Sequence, residues 1–340
     1  NNGTGNVAIG NYALRTNSNG SLNTAIGYQS LYANTTGNQN VAIGRDALLS
    51  NTTGNANMAN GNQSLYSNTS GNYNIAFGLQ SLFSNLSGNS NIAFGFMSLN
   101  VNTIGNENIC IGRDALSFNK AGSNAVAVGT RALQYTNSIS TAFDNKNVAV
   151  GYEALRGSTT AANNTGINNT AIGYQTLLVN STGSNNVAIG VSSLYKNTGG
   201  NFNIAIGESA LYENTTGSGN TAIGDLALEK NTIGGDNTAT GYFALRENTT
   251  GINNTANGVF ALRLNTTGND NTASGKSALY SNTTGNNNTA NGRSALFLNT
   301  IGENNIAVGF QSLNSNSAGS NATAIGTNAM QNANNTTTAF

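Results

Sequence analysis

The sequence contains no His, no Pro, no Trp and a single Cys. Without His, neither a Ser-His-Asp nor a Cys-His nucleophilic constellation can be assembled, and His-bearing metal sites are excluded as well. Cys110 could act as a thiol nucleophile, but it occupies a slot that is otherwise Ala within a strand pattern, which favours a buried spectator. Gly275-Lys276-Ser277 has the ending of a phosphate-binding loop. The earlier Gly that such a loop requires is Asp270, so no nucleotide site is expected. Gly234-Gly235-Asp236 hints at a calcium-binding nonapeptide, but it occurs once and lacks the flanking pattern, and it reads as a plain turn. Paired carboxylates for acid–base work need a cleft, whereas the acids here are scattered over variable positions. The expectation is no enzyme, no cofactor and no metal.

Exposed aromatics are better candidates. Tyr32, Tyr66, Phe83, Tyr195, Tyr212, Tyr280 and Phe297 share one repeat position, and Tyr28, Tyr152, Tyr174 and Tyr242 share another. Such rings on a polar surface can stack on glycans. The alternative, preferred here, is that they cover strand edges or neighbouring chains. Asn34-Thr35-Thr36, Asn51-Thr52-Thr53 and similar triplets fit the N-glycosylation pattern, which arises here from composition and matters only in a eukaryotic source.

These residues sit on a repeat. The Gly that ends each "AIG"-like triplet recurs from Gly10 to Gly326, at intervals of 17 residues except for two intervals of 22. Residues 1–340 therefore read as one continuous array of about 19 coils with no domain boundary; the 22-residue coils are 129–150 and 151–172. With that Gly as position 1, and the last four positions of a long coil counted back from the next Gly, position 4 is Ala or Ser, with Thr176 the exception. Position 5 is Leu except at Met330, and position 16 is Ala except at Cys110. Positions 8 and 14 are usually Asn and position 11 usually Gly. Ala142-Phe143 and Ala339-Phe340 occupy matching places 197 residues apart, which suggests a longer super-repeat and a window cut from a longer fibre.

A 17-residue unit is too short for two packed helices but long enough for a coil of two short strands and two turns. Positions 14–17, mostly Asn-[Thr/Val/Ile]-Ala-x, predict one strand, and positions 3–7 around the Leu predict a second. Asn, Thr and Gly at positions 8–12 predict the turn between them, since both Asn and Gly accept left-handed backbone. The fold class expected is all-β: a parallel β-solenoid, or β-roll. Stacked at ~4.8 Å per coil, the array would reach roughly 90 Å. Identical positions then form columns. Leu31, Leu48, Leu65, Leu211, Leu228 and Leu245 would lie in a Leu column and Ala42, Ala59, Ala222 and Ala239 in a small-residue column. Gly44, Gly61 and Gly224 would mark the turn, and Asn40, Asn57 and Asn220 would form an amide column whose side chains bond coil to coil. The long coils would bulge out as loops. Charges fall at positions 2, 3, 6, 7, 9, 12 and 13 or in the insertions, which are expected to face solvent.

Alternation along a strand places positions 15 and 17 opposite 16. If Ala faces inward, an apolar stripe (Val41 and Ile43, Ile75 and Phe77, Ile92 and Phe94, Ile204 and Ile206) faces out, and such a stripe marks an interface. If 15 and 17 face inward, the Ala stripe is the contact surface. A homotrimer is the natural closed solution; the alternative is a wider single-chain coil that buries all three positions. Thirteen basic and thirteen acidic residues cancel, which argues against nucleic acid and anionic membranes as partners. No run approaches the ~18 apolar residues of a membrane helix, and one Cys permits no internal disulfide. No signal-peptide pattern is seen, so any export signal is expected outside residues 1–340.

The recurring motif, as in Asn40-Val41-Ala42-Ile43-Gly44, resembles the repeat of YadA-like heads in trimeric autotransporter adhesins. The longer unit, as in Gly275 to Gly285, resembles repeats of phage-type tail fibres and of Bacteroidetes surface fibres. The resemblance covers the whole chain. It departs from the YadA-like pattern in its 17-residue length and its near-invariant Leu. It implies a left-handed parallel β-roll, three chains per rod, and an extracellular location on a bacterial cell surface or in a phage or injection-machine tail fibre. The function expected is a structural shaft or head segment that contributes to surface adhesion. The alternative is a lateral-surface binding module for cell-surface or matrix glycan or protein. A further variant of that alternative comes from Thr238-Ala239-Thr240, Thr255-Ala256-Asn257, Thr272-Ala273-Ser274 and Thr289-Ala290-Asn291, which resemble the ice-binding face of β-solenoid antifreeze proteins, although only the first is a true Thr-x-Thr.

Overall fold

The structure, a computed structural model, describes residues 2–135, 139–160 and 163–333. The chain is an all-β parallel β-solenoid of about 18 coils with a repeat of about 17 residues, and no α-helix occurs among the described residues. It falls into two compact units, residues 1–174 and 175–340.

Each regular coil contributes one three-residue strand at positions 15–17. These strands run from Val7–Ile9 to Thr170–Ile172 in the first unit and from Val187–Ile189 to Thr323–Ile325 in the second. Pairing within each unit is parallel and in register, so that Ala25, Ala42 and Ala59 align in one unit and Ala205, Ala222 and Ala239 in the other. Ala at position 16 points inward and is buried in every strand after the first, where Ala8 is exposed, while positions 15 and 17 point out and are half-buried or exposed. Of the two arrangements open from the sequence, the chain adopts the one with Ala against Leu. It does not bury all three strand positions. The β-branched residues at 15 and 17 fit this half-covered pleat, and the glycine that follows ends the strand at φ near +130°, as at Gly44 (+128°) and Gly224 (+131°).

The second expected strand is absent: positions 2–7 form a turn. Ala47 and Leu48, adjacent at positions 4 and 5, are both fully buried. A strand would send neighbours to opposite faces, so two consecutive inward side chains require a different backbone. That backbone has left-handed residues at positions 3 and 5, for example Gln29 (φ 55°) and Leu31 (φ 49°), separated by Ser30. Coil-to-coil bonding survives the change. Leu31 N–H donates to the Ala47 carbonyl and Ala33 N–H to the Leu49 carbonyl, both at 2.9 Å, while Gln29 N–H donates back to Asn11 at 3.0 Å.

Left-handed backbone costs an L-residue roughly 1–2 kcal/mol, and a β-branched side chain there is a steric outlier. None of the non-glycine residues with positive φ among the described residues is Val, Ile or Thr. This accounts for Leu rather than Ile at position 5. Leu228→Met is expected to cost about 1 kcal/mol, as volume-conserving core swaps do; Met330 already holds this conformation at φ 49°. Leu228→Ile is expected to cost about 2–3 kcal/mol, because the branched Cβ clashes at φ 52°. Chemical denaturation of the two variants compares them directly.

The turn at positions 8–12 also differs from expectation. Its residues are not left-handed; the third left-handed position is 13, as at Gln39 (φ 58°) and Asn253 (φ 57°). The glycine at position 11 is there for space. A Cβ on Gly54 would lie 2.4 Å from both Asn51 Oδ1 and the Gly71 carbonyl oxygen.

The charge placement holds with two exceptions at position 3. Asp46 and Glu153 are buried, each covered by guanidinium groups: Arg45 at 3.2 Å from Asp46, and Arg131 and Arg156 at 3.2 and 3.1 Å from Glu153. In the first long coil Ile139, Ser140, Thr141 and Ala142 are exposed, as expected of a bulging loop, while other described residues of the long coils meet the stack. Phe143–Asp144 pairs parallel with Gly122–Ser123, and the Phe143 ring occupies the space over Gly122. In the second long coil, Asn164 bonds Ser158 and the Tyr135 carbonyl. Ala339 and Phe340, the matching pair of the 197-residue offset, lie outside the described residues.

Candidate functional site

The candidate site is the set of columns that stacking creates. The inner ones are structural. Leu31, Leu48, Leu65, Leu211, Leu228 and Leu245 are fully buried, as are Ala42, Ala59, Ala222 and Ala239. Asn40, Asn57 and Asn220 lie beside them, equally inaccessible. Each position-14 amide is saturated. Asn40 Oδ1 accepts the backbone N–H (3.0 Å) and Nδ2 (3.1 Å) of Asn57, and Asn40 Nδ2 donates to the Gly54 carbonyl at 2.8 Å. The position-8 column runs the same way, with Asn51 Nδ2 donating to Asn34 Oδ1 at 2.9 Å and to the same Gly54 carbonyl at 3.0 Å, but it breaks at Asn119 and Asn299, whose buried Oδ1 atoms have no partner among the described residues. The position-11 carbonyl thus joins the two amide columns, a second reason for close approach at that glycine. Buried polar groups so connected cost little while complete and much when broken.

A third amide column escaped the sequence reading. At position 12, Asn38 Nδ2 donates to Asn55 Oδ1 and Asn55 Nδ2 to Asn72 Oδ1, at 3.2 and 3.1 Å, on the partly exposed side of the turn and with the opposite polarity. Its signal was the frequent Asn at position 12, obscured by Ser and Glu substitutions in other coils.

The outer aromatics form ring stacks. Tyr66 and Phe83 lie 5.0 Å apart at 11°, Tyr195 and Tyr212 4.9 Å at 15°, and Tyr280 and Phe297 5.0 Å at 13°. Tyr32 meets Tyr12 edge to face and carries Arg15 over its ring. The position-6 rings are half-buried, whereas Tyr12 is exposed. In-register stacking of this kind turns one face of each paired ring toward its partner and leaves ring edges toward solvent. Tyr152 and Tyr174 at position 2 behave likewise, 5.4 Å apart at 12°.

The outer strand face differs along the chain. In the first unit it is apolar over consecutive coils: Ile75 and Phe77, Ile92 and Phe94, Ile109 and Ile111. Phe77 and Phe94 stack at 5.1 Å. In the second unit, Thr238, Thr255, Thr272 and Thr289 form one regular Thr column, with Thr240, Asn257, Ser274 and Asn291 beside it. Position 7 of that unit carries alternating charges, Lys196 with Glu213 and Lys230 with Glu247, each at 2.6 Å. The Glu213 carboxylate holds the Lys196 ammonium above the usual lysine range. Exposed pairs of this kind contribute at most about 1 kcal/mol each.

Cys110 fills the Ala slot between Ala93 and Ala127, fully buried, and burial pushes its thiol pKa up. It is expected to resist a thiol-specific reagent in the folded protein and to react once denatured. Gly275 to Ser277 and Gly234 to Asp236 occupy the same turns as their counterparts in other coils. Among the described residues there is no group of three or more His, Cys, Asp or Glu placed to hold a metal, and no helix long and apolar enough to cross a membrane. Fold and columns together define a β-solenoid repeat protein. No protein-family model matches the chain, and no curated protein matches it at a significant level.

Proposed function

We propose that this chain is a structural segment, shaft or head, of an extracellular fibre at a bacterial cell surface or in a phage-type tail. In this reading three copies associate in parallel along the outer strand face, each winding left-handed. The observation that carries it is the apolar stripe of the first unit. Ile109 and Ile111 are 37% and 44% exposed and Phe94 is 40% exposed, in a protein whose charged residues are only 8% of the sequence. A continuous apolar stripe that long is the mark of a protein contact. The working parts are the Leu, Ala, Gly and Asn columns, through which each coil templates the next and adds length at nearly constant stability.

The rival function, binding along the lateral surface, would use the ring columns. Their mutual stacking favours the structural role, since half of the ring faces in the paired columns are already covered. A glycan array tests the choice. The fibre reading expects no specific binding by the intact chain. Specific binding lost on changing Tyr66, Phe83, Tyr195 and Tyr212 to Ala would transfer the function to the lateral surface.

A further inference from the structure

We propose that position 2 of the second unit is a self-recognition surface that pairs two copies of this chain antiparallel. Along this exposed column, successive coils carry Glu208, Asp225, Tyr242, Val259, Lys276 and Arg293. Two acids lie at one end, two bases at the other and two uncharged residues between. None of the four charged residues makes an ion pair among the described residues.

This is unlike the position-7 column of the same unit, where signs alternate and each charge meets its opposite within the chain, Lys196 with Glu213 and Lys230 with Glu247. Like charges one coil apart repel, so the position-2 order is unfavourable for an isolated chain. It is complementary to its own reverse. A second copy turned end for end about a dyad between Tyr242 and Val259 sets Glu208 against Arg293 and Asp225 against Lys276, twice over. A parallel copy in register sets each charge against itself.

The residues at the dyad suit the centre of an interface. Beside Tyr242 and Val259 lie Phe243 and Phe260, their rings 5.7 Å apart, with Tyr242 packed edge-on against Phe243 at 4.1 Å. The Arg246 and Arg263 guanidiniums lie over the Phe243 ring, and an aromatic and arginine-rich centre flanked by charges is an arrangement protein interfaces use, with the centre supplying affinity and the flanking charges supplying register and orientation. The contact is isologous and closed, since each copy offers the same column. Antiparallel pairing joins segments that point in opposite directions, so its role is contact between fibres rather than growth of one. It does not depend on the trimeric reading: single chains would close into pairs, and trimers, which would offer three such columns, would be linked further, so the mass rises in either case.

The test is sedimentation of the intact chain at low salt and at about 0.5 M salt, where exposed charges are screened. The expected result is a mass at low salt at least twice that at high salt. Glu208→Lys with Asp225→Lys, and separately Lys276→Glu with Arg293→Glu, should each weaken the association at least about tenfold. All four substitutions together should restore it. For orientation, Glu208→Cys with Arg293→Cys should form oxidised cross-links between copies, while either Cys alone should not. Absence of this salt-sensitive rise in mass would overturn the proposal. So would failure of the fourfold exchange to restore it in a protein that unfolds at the parental temperature, or cross-linking by a single Cys.

Discussion

Leu211→Asp is expected to destabilise the protein by on the order of 5 kcal/mol or more. Leu211 is fully buried, and its neighbours in the column, Leu194 and Leu228, are fully buried as well. The substitution removes the apolar contact, worth about 2–5 kcal/mol when a buried Leu is truncated, and places a carboxylate where no cation or donor is arranged to meet it. Its side chain also stands on a left-handed residue, φ 53°, which fixes its direction into the column. Because coils touch only their neighbours, the damage is local in origin but breaks the stack on both sides. Hydrogen exchange should show lost protection centred on the adjacent coils, and a denaturation midpoint equal to the parent's would mean that Leu211 does not point inward.

Gly44→Ala should be nearly as severe, at about 3–5 kcal/mol, although it adds one methyl group. At φ +128°, Gly44 lies outside the left-handed helical region that Ala can enter at modest cost. A Cβ there would also meet the Gly61 carbonyl oxygen at 2.7 Å. That carbonyl belongs to the backbone of the next coil, so relief requires the coils to move apart. Neither strain nor contact can be relaxed by a rotamer change. Thermal unfolding measures the loss. Gly54→Ala is the informative comparison. It lacks the positive φ but meets Asn51 Oδ1, and should act by opening the amide columns.

The period and the register were legible because a strict repeat leaves one way to superimpose coils, and the columns of Ala42 and Leu48 followed from it, but not which strand face turns inward. The Asn columns followed too, since an amide in a stack has its own copy as the nearest partner, whereas their burial did not. The conformation around Leu48 was not legible from hydrophobicity. A short apolar segment bounded by polar residues fits a strand as well as a turn. Two signals were nevertheless present in the residues. Ala47 and Leu48 are adjacent and both unfailingly apolar or small, which alternation cannot accommodate, and Val, Ile and Thr are missing from positions 3, 5 and 13. Flexibility alone explains Gly54 as a turn residue, whereas its role is to let two amides reach one carbonyl. The burial of Asp46 and Glu153 depended on guanidinium neighbours that composition does not place. Ring stacking, as in Tyr66 with Phe83, follows from register but requires side-chain orientations that spacing alone does not supply.

The most direct test of the fibre account is the solution mass of the intact chain, by light scattering after size exclusion, at a salt concentration high enough to suppress charge pairing. Parallel association along the outer strand face predicts three times the chain mass of 34.7 kDa, about 104 kDa. A mass of 34.7 kDa would contradict it, leaving the stripe of Ile75, Ile92 and Ile109 exposed in a single-chain solenoid.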